Sequence, residues 1–260
     1  MPMKAIGLVL AIWLIPLGLS AQTAGNPVRT VPKGQWTVGL AGNYLNQNMQ
    51  TSTAVSKRVF VKSMWGVDSW LGVYGMLGAV QLSMNVKQAG VKDYKDRFRF
   101  GYGAGVHWHF PIPAQSEYGP GLWGGVQGLK FLSEATFTRP IQFQGGSLNR
   151  EFAVRYDWGE MLASGGIEFP VRSVRLYFGG AAWAIRRLDT KKEYLVDGTH
   201  DKQYLGKAKG EYRSGFWSGG VVGVEITFPQ NYSISIEALG FNEENYQIMV
   251  GICQTGSPEW

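Results

Sequence analysis

The chain has 260 residues, 36 of them Gly and ten of them Trp, with 13% aromatic and only 17% charged residues. A chain this apolar can bury a core, which excludes disorder, and glycine at about 14% without a G-X-Y period excludes collagen. A single Cys excludes an intrachain disulfide framework and a cysteine-based zinc site, a mean hydropathy of −0.11 excludes a multi-helix membrane protein, and the net charge of +6 comes from scattered residues that point to no nucleic acid.

Residues 1–21 place Lys4 ahead of an apolar run from Ala5 to Leu19 that closes on Leu19-Ser20-Ala21. This is the order of an export signal. The run is short for a spanning helix of ~20 residues, and Pro16 interrupts it. We expect cleavage after Ala21, then a periplasmic segment at 22–33, a β domain at 34–253 and a tail at 254–260.

From residue 34 onward a period of two dominates. Segments 34–46, 56–67 and 70–86 read as strands from their Val, Tyr, Trp and Gly content. The clearest stretch is 97–110, RFRFGYGAGVHWHF. Its even positions, Phe98 to Phe110, form an apolar wall, and its odd positions carry Arg97, Arg99, glycines, His107 and His109. Segment 123–137 sets Trp123, Leu129, Phe131, Ala135 and Phe137 against Lys130, Glu134 and Thr136. In 151–169 the phase switches: Phe152, Val154, Tyr156 and Trp158 are even, whereas Met161, Ala163, Ile167 and Phe169 are odd. Either a β-bulge near Trp158–Gly159 resets the phase, or the upper part of the strand leaves the apolar zone. Strands follow at 172–187, 216–228, 232–239 and 246–253, making ten. Connections at 66–69, 111–120, 170–171 and 229–231 are short or turn-like. Those at 87–96, 138–150 and 188–210 are longer, polar loops, with shorter members near 47–55 and 241–245.

Alternation alone suits a soluble barrel as well as an inverted one with a lipid-facing exterior. Three features favour the membrane: a long apolar face with aromatic ends, an opposite face rich in Gly and poor in charge, and an even strand count with alternating turns and loops. The expected fold is all-β: a closed antiparallel up-and-down transmembrane β-barrel of about ten strands. Phe98, Phe100, Val106, Trp108, Val224, Ile226, Ile234 and Ile236 are expected to face lipid. Arg97, Arg99, His107, His109, Lys130, Glu134, Glu225 and Glu237 are expected to line the lumen. Closure requires residues 36–44 to pair with 246–252, because lipid offers no partner for an open edge.

On segments 98–110, 217–239 and 66–77 (GVDSWLGVYGML) the chain resembles the small single-chain outer-membrane β-barrel proteins of Gram-negative-type bacteria. The resemblance covers 34–253 and implies an integral outer-membrane location after signal-peptide export. Such barrels end on a strand whose last residue is aromatic, whereas here the last strand closes near Ile252 and GSPEW follows.

No cofactor is expected, and no catalytic or metal set stands out. His107 and His109 share a strand face, but a metal needs a third ligand, from Glu134, Glu225, Glu237 or His200. Ten strands also looks like the omptin proteases, whose acidic residues and His sit near the outer rim. Here both strand His lie near the opposite end, and His200-Asp201 is the only rim pair. Ten strands lies near the size that side chains fill. The expected role is therefore structural or interactive, with a mostly side-chain-filled polar lumen and extracellular loops. A small-solute or ion pore is the alternative, and an outer-membrane enzyme of protease or lipid-modifying type the second. The expected partners are outer-membrane lipid and, through the basic excess of 188–210, lipopolysaccharide phosphates or a surface partner.

Overall fold

The structure is a computed structural model that describes residues 31–49, 52–86, 94–112, 119–143, 146–196 and 201–255. The expected export signal at 1–21, residues 22–30, His200, most of the 87–96 connection and the GSPEW tail lie outside the described residues. The strands are β1 (Trp36–Met49), β2 (Ser52–Asp68), β3 (Leu71–Val86), β4 (Tyr94–Lys95), β5 (Arg99–Pro111), β6 (Gly121–Phe143), β7 (Gly146–Val171), β8 (Val174–Val196), β9 (Lys202–Arg213), β10 (Trp217–Phe228), β11 (Tyr232–Asn242) and β12 (Asn245–Thr255).

All but β4 and β9 close into an antiparallel ring of ten. Neighbours in sequence pair, β8 passes to β10, and β12 returns to β1 with Leu40 opposite Ile252 and Asn46 opposite Tyr246. Closure leaves no edge in the lipid zone, where an unpaired N–H or C=O has no water to bond. β4 pairs with β3 ahead of β5, and β9 pairs with β8 above the level where β10 takes over. One end of the ring carries tight connections, including Arg172-Ser173 and the 3-10 turn Pro229–Asn231. Arg172 (φ 55°) and Asn231 (φ 61°) take the left-handed conformation that these reversals demand.

The other end is uneven. β6, β7 and β8 run for 23, 26 and 23 residues. Residues 138–143, 146–150, 188–196 and 202–210, expected as parts of loops, are continued hairpin strands, with Thr138 opposite Glu151 and Lys192 opposite Lys207. Cross-strand pairs hold them: Arg150 with Glu193, Lys202 Nζ with Glu151 Oε1 at 2.7 Å, and Tyr194 against Tyr204 with ring centroids 5.7 Å apart. Their polarity concealed them, because a strand above the lipid needs no apolar outer face. β6 to β9 thus raise a four-stranded wall on one side of the ring.

Apolar side chains change sides with height. Within the band the exterior is apolar: Trp36, Val38 and Leu40 on β1, Val59, Val61 and Trp65 on β2, and Leu176 and Phe178 on β8 are exposed. Stacked aromatics ring the turn end: Trp36–Trp65 (5.8 Å), Trp70–Phe110 (5.2 Å) and Phe169–Phe178 (5.9 Å). Tyr44–Tyr246 (6.3 Å) and Phe100–Tyr102 (6.2 Å) mark the upper border. The nine residues from Trp36 to Tyr44, tilted as barrel strands are, span about 20 Å of height, close to the apolar belt of outer-membrane barrels. Above that level the outside is charged and the inside apolar, as in a soluble barrel: Leu45, Leu82, Phe131, Val154, Trp158 and Ile185 are buried together.

This reversal settles the phase switch in 151–169. The β6–β7 register runs unbroken from Gly121 opposite Glu168 to Phe143 opposite Gly146, so no bulge lies at Trp158–Gly159. Met161 and Phe169 face out into the lipid zone, and Phe152, Val154 and Trp158 face in above it. On β6 Leu129 and Phe131 face inward, as does Trp123 lower down, where it meets the Tyr177 ring, and this turns Lys130 and Glu134 outward.

Candidate functional site

The lumen has two storeys. The lower one sets polar groups among buried rings such as Trp123 and Tyr177. His107, Glu168, Glu225, Glu237 and Lys62 are all buried there. Glu168 accepts from His109 Nε2 and lies 3.5 Å from Arg175 Nη1, which joins β5, β7 and β8. Lys62 Nζ sits 3.7 Å from the centroid of the Tyr74 ring, and the Tyr74 hydroxyl donates to Gln127 Oε1 at 3.0 Å. On the same wall, in the row that runs from Lys62 through Gly39, the Cys253 thiol and Ser233 hydroxyl are 2.9 Å apart. Glycines make room for these large inward rings. A Cβ on Gly105 would overlap the Tyr74 ring, and one on Gly223 would overlap Tyr177.

The upper storey is a crossbeam. Arg58 on β2 makes a two-pronged pair with Glu160 on β7: Nη1 meets Oε1, and Nη2 donates to Oε2 at 2.8 Å. β2 and β7 stand nearly opposite in the ring, so the pair spans the lumen. Arg58 is 0% exposed and Glu160 8%, and Ser56 Oγ and Trp158 Nε1 supply further hydrogen bonds to the pair. Phe131 and Trp158 stack beside it at 5.7 Å. Above, Arg187 reaches from β8 to the sulfurs of Met49 (3.2 Å) and Met84 (3.6 Å) and holds Asp189 two residues along. A guanidinium bordering an open water-filled channel would retain exposure; Arg58 retains none.

The sequence-predicted residues distribute as follows. His107, His109, Glu225 and Glu237 point into the lower lumen. Arg99 lies at the rim, its Nε 3.2 Å from Asp96, and donates to the Glu134 carbonyl. Arg97 is exposed in the short link between β4 and β5, outside any ladder, so it lines nothing. Lys130 and Glu134 are corrected to the outer face. There they pair with Asp157 and Arg155 of β7, each at 3.5 Å, just above the lipid zone. Phe98, Phe100, Val106, Ile226 and Ile236 are exposed on the outside. Trp108, Val224 and Ile234 are half-buried on the same face. Among the described residues no three of His, Cys, Asp and Glu gather closely enough to hold a metal ion.

Sequence reasoning missed the crossbeam. Its signal is in residues 55–62, VSKRVFVK, where Arg58, Phe60 and Lys62 share one face opposite Val59 and Val61. Two long cations on the inner face of a lipid-spanning strand demand counter-charges across the lumen.

The rim holds a second feature. An open cleft of ≈ 590 Å³ lies between the foot of β9 and the tips of β1, β11 and β12. Glu211, Tyr212 and Arg213 line one side, and Asn48, Asn242 and Glu244 the other. Hydrogen bonds from Arg213 and Arg186 hold the Glu211 carboxyl below its ordinary value.

No family model matches the chain, and no curated protein matches it. Solved structures do. The transport unit of the autotransporter AIDA-I from Escherichia coli is 12% identical over 96% of each chain, with a TM-score of 0.40. The outer membrane protease OmpT from Escherichia coli is 10% identical over 85% of this chain and 95% of its own, with a TM-score of 0.41. An outer membrane channel from Pseudomonas putida F1 is 10% identical over 90% and 100%, with a TM-score of 0.37. The chain resembles small bacterial outer-membrane β-barrels. The three named roles differ, and at these scores none of them passes to this chain.

Proposed function

We propose that the protein is an outer-membrane barrel closed by its own side chains, which anchors the β6–β9 wall and presents it to a partner outside the cell. The observation that carries this reading is the Arg58–Glu160 crossbeam, buried between opposite sides of the lumen and packed against Trp158 and Phe131. A solute would have to break a bidentate pair whose separate charges are costly to bury. The wall supports the same reading, since three strands extended well above the ring add nothing to a pore's wall within the lipid.

Conductance in a planar bilayer tests it. The refolded protein is expected to give no steady unitary current. Replacing both Arg58 and Glu160 by Ala is expected to open a small conductance. Steady current through the unaltered chain would replace the closed reading with a pore.

A further inference from the structure

Among the described residues the backbone of β9 pairs with β8 alone. The direction of its backbone groups follows from one bond, Ser214 N–H to the Ile185 carbonyl at 2.9 Å, together with Arg213 standing opposite Arg186. In an antiparallel ladder, pairs that exchange hydrogen bonds alternate with pairs that do not. The N–H and C=O groups of Ala208, Gly210 and Tyr212 therefore face β8. Those of Lys207, Lys209, Glu211 and Arg213 face away from it. Below, β10 finds β11 at Gly220 opposite Gly240. Above that level no described strand lies alongside β9, and the ≈ 590 Å³ cleft is the space at the foot of its bare edge.

A bare edge is a template for another strand, and its side chains select which strand. On the outer face Lys207 and Lys209 flank the edge, and Lys192 stands directly opposite Lys207. Among the described residues none of these three lysines has an acidic partner, whereas Glu211 is already held by Arg186 and Arg213. Like charges directly opposed in a ladder destabilise it, so an anionic neighbour would be stabilising here. The same lysines repel a second β9, which disfavours pairing between two copies of this chain. The inner face carries Gly206, Ala208 and Gly210, too small to obstruct side chains of an added strand.

We propose that the free edge of β9 is a docking site for an extended acidic segment of a partner protein, which adds as a strand beside Lys207–Arg213. The proposal rests on the closed-barrel reading, since it names what the wall meets. Conductance measured on the same preparation reports that reading separately.

The test uses the full refolded chain in detergent micelles and a labelled synthetic peptide alternating Glu and Val. Fluorescence anisotropy reads binding, and amide exchange reads residues 202–213. Binding is expected to slow exchange at Lys207, Lys209, Glu211 and Arg213. A peptide N-methylated at alternate residues, unable to complete the ladder, is expected to bind about tenfold or more weakly. Lys209→Pro removes an edge-facing N–H without touching the β8 ladder, and it is expected to weaken binding more than Lys209→Ala, which removes the charge alone. Equal binding of the N-methylated peptide overturns the proposal and leaves only charge attraction. So does full displacement by phosphate-bearing lipid vesicles with no protection along β9, which would assign the lysines to a lipid surface. Protection of β9 in peptide-free protein that sediments as a dimer would assign the edge to a second copy, and it overturns the proposal equally.

Discussion

Arg58 and Glu160 are more informative apart than together. Each charge is buried, and each is tolerable only because the other is present with Ser56 and Trp158 completing the hydrogen bonds. Arg58→Ala leaves a carboxylate uncompensated inside the barrel, and the expected loss is about 3–5 kcal/mol. Replacing both by Met keeps volume without charge and is expected to recover most of that loss. Urea unfolding in micelles, followed by tryptophan fluorescence, compares the variants; a double variant as damaging as the two single changes added together would show that the charges do not act on each other. The glycines of the inner face make a complementary case. Gly223 supplies space that the Tyr177 ring occupies, so Gly223→Val must displace a buried ring. Overpacking of this kind costs about 1–3 kcal/mol. In the same unfolding assay Gly240→Val, a change with open space around the new side chain, is expected to cost clearly less.

At the scale of the strand, one rule covers most departures between sequence and structure: which face is apolar depends on height. β5 was legible on both faces because its alternation lies within the lipid zone. Phe100 and Val106 are outside and His107 inside, as the period of two requires. β6 and β7 cross the border, so their apolar faces reverse halfway while the register runs straight on. Lys130 and Glu134 resemble lumen residues by polarity alone, and only height distinguishes a polar lumen from a polar exterior. The hairpins at 138–150 and 188–210 were hidden for the same reason, and Arg97 because a pattern of alternation cannot show where a ladder begins. The rule yields a paired prediction. Val61→Arg puts a cation at mid-height on the lipid face, opposite Leu40, and is expected to cost ~2–4 kcal/mol. Thr136→Arg makes a similar change on the exposed outer face of the wall, where surface substitutions fall within about ±0.5 kcal/mol. Similar losses at both sites, measured by unfolding in lipid vesicles, would place the border elsewhere.

The whole molecule has a direction. The reversals Asp68–Leu71, Val171–Val174 and Phe228–Tyr232 lie at one end; from the other, where Asn242 also turns tightly to Asn245, rise the tall strands with lysines that have no acidic partner among the described residues. Outer-membrane barrels put short turns on the periplasmic side and long connections outside. An exported chain that inserts from the periplasm must push one set of connections through the membrane. Closure of β12 onto β1 fixes both chain ends of the barrel at the turn end. With an even ring, both ends are then expected to stay on the side of entry and the wall to cross. Cysteine labelling decides this. Cys253 faces the lower lumen beside Ser233, so it is first replaced by Ser to give a thiol-free background. In that background Thr136→Cys and Lys207→Cys, both on the outer face of the wall, are expected to react with a membrane-impermeant maleimide in intact cells. Ser173→Cys, in the turn between β7 and β8, is expected to react only after the outer membrane is permeabilised. The reverse pattern would put the wall in the periplasm. The edge of β9 would then face the cell's own envelope, and an acidic partner would have to be sought there instead of outside.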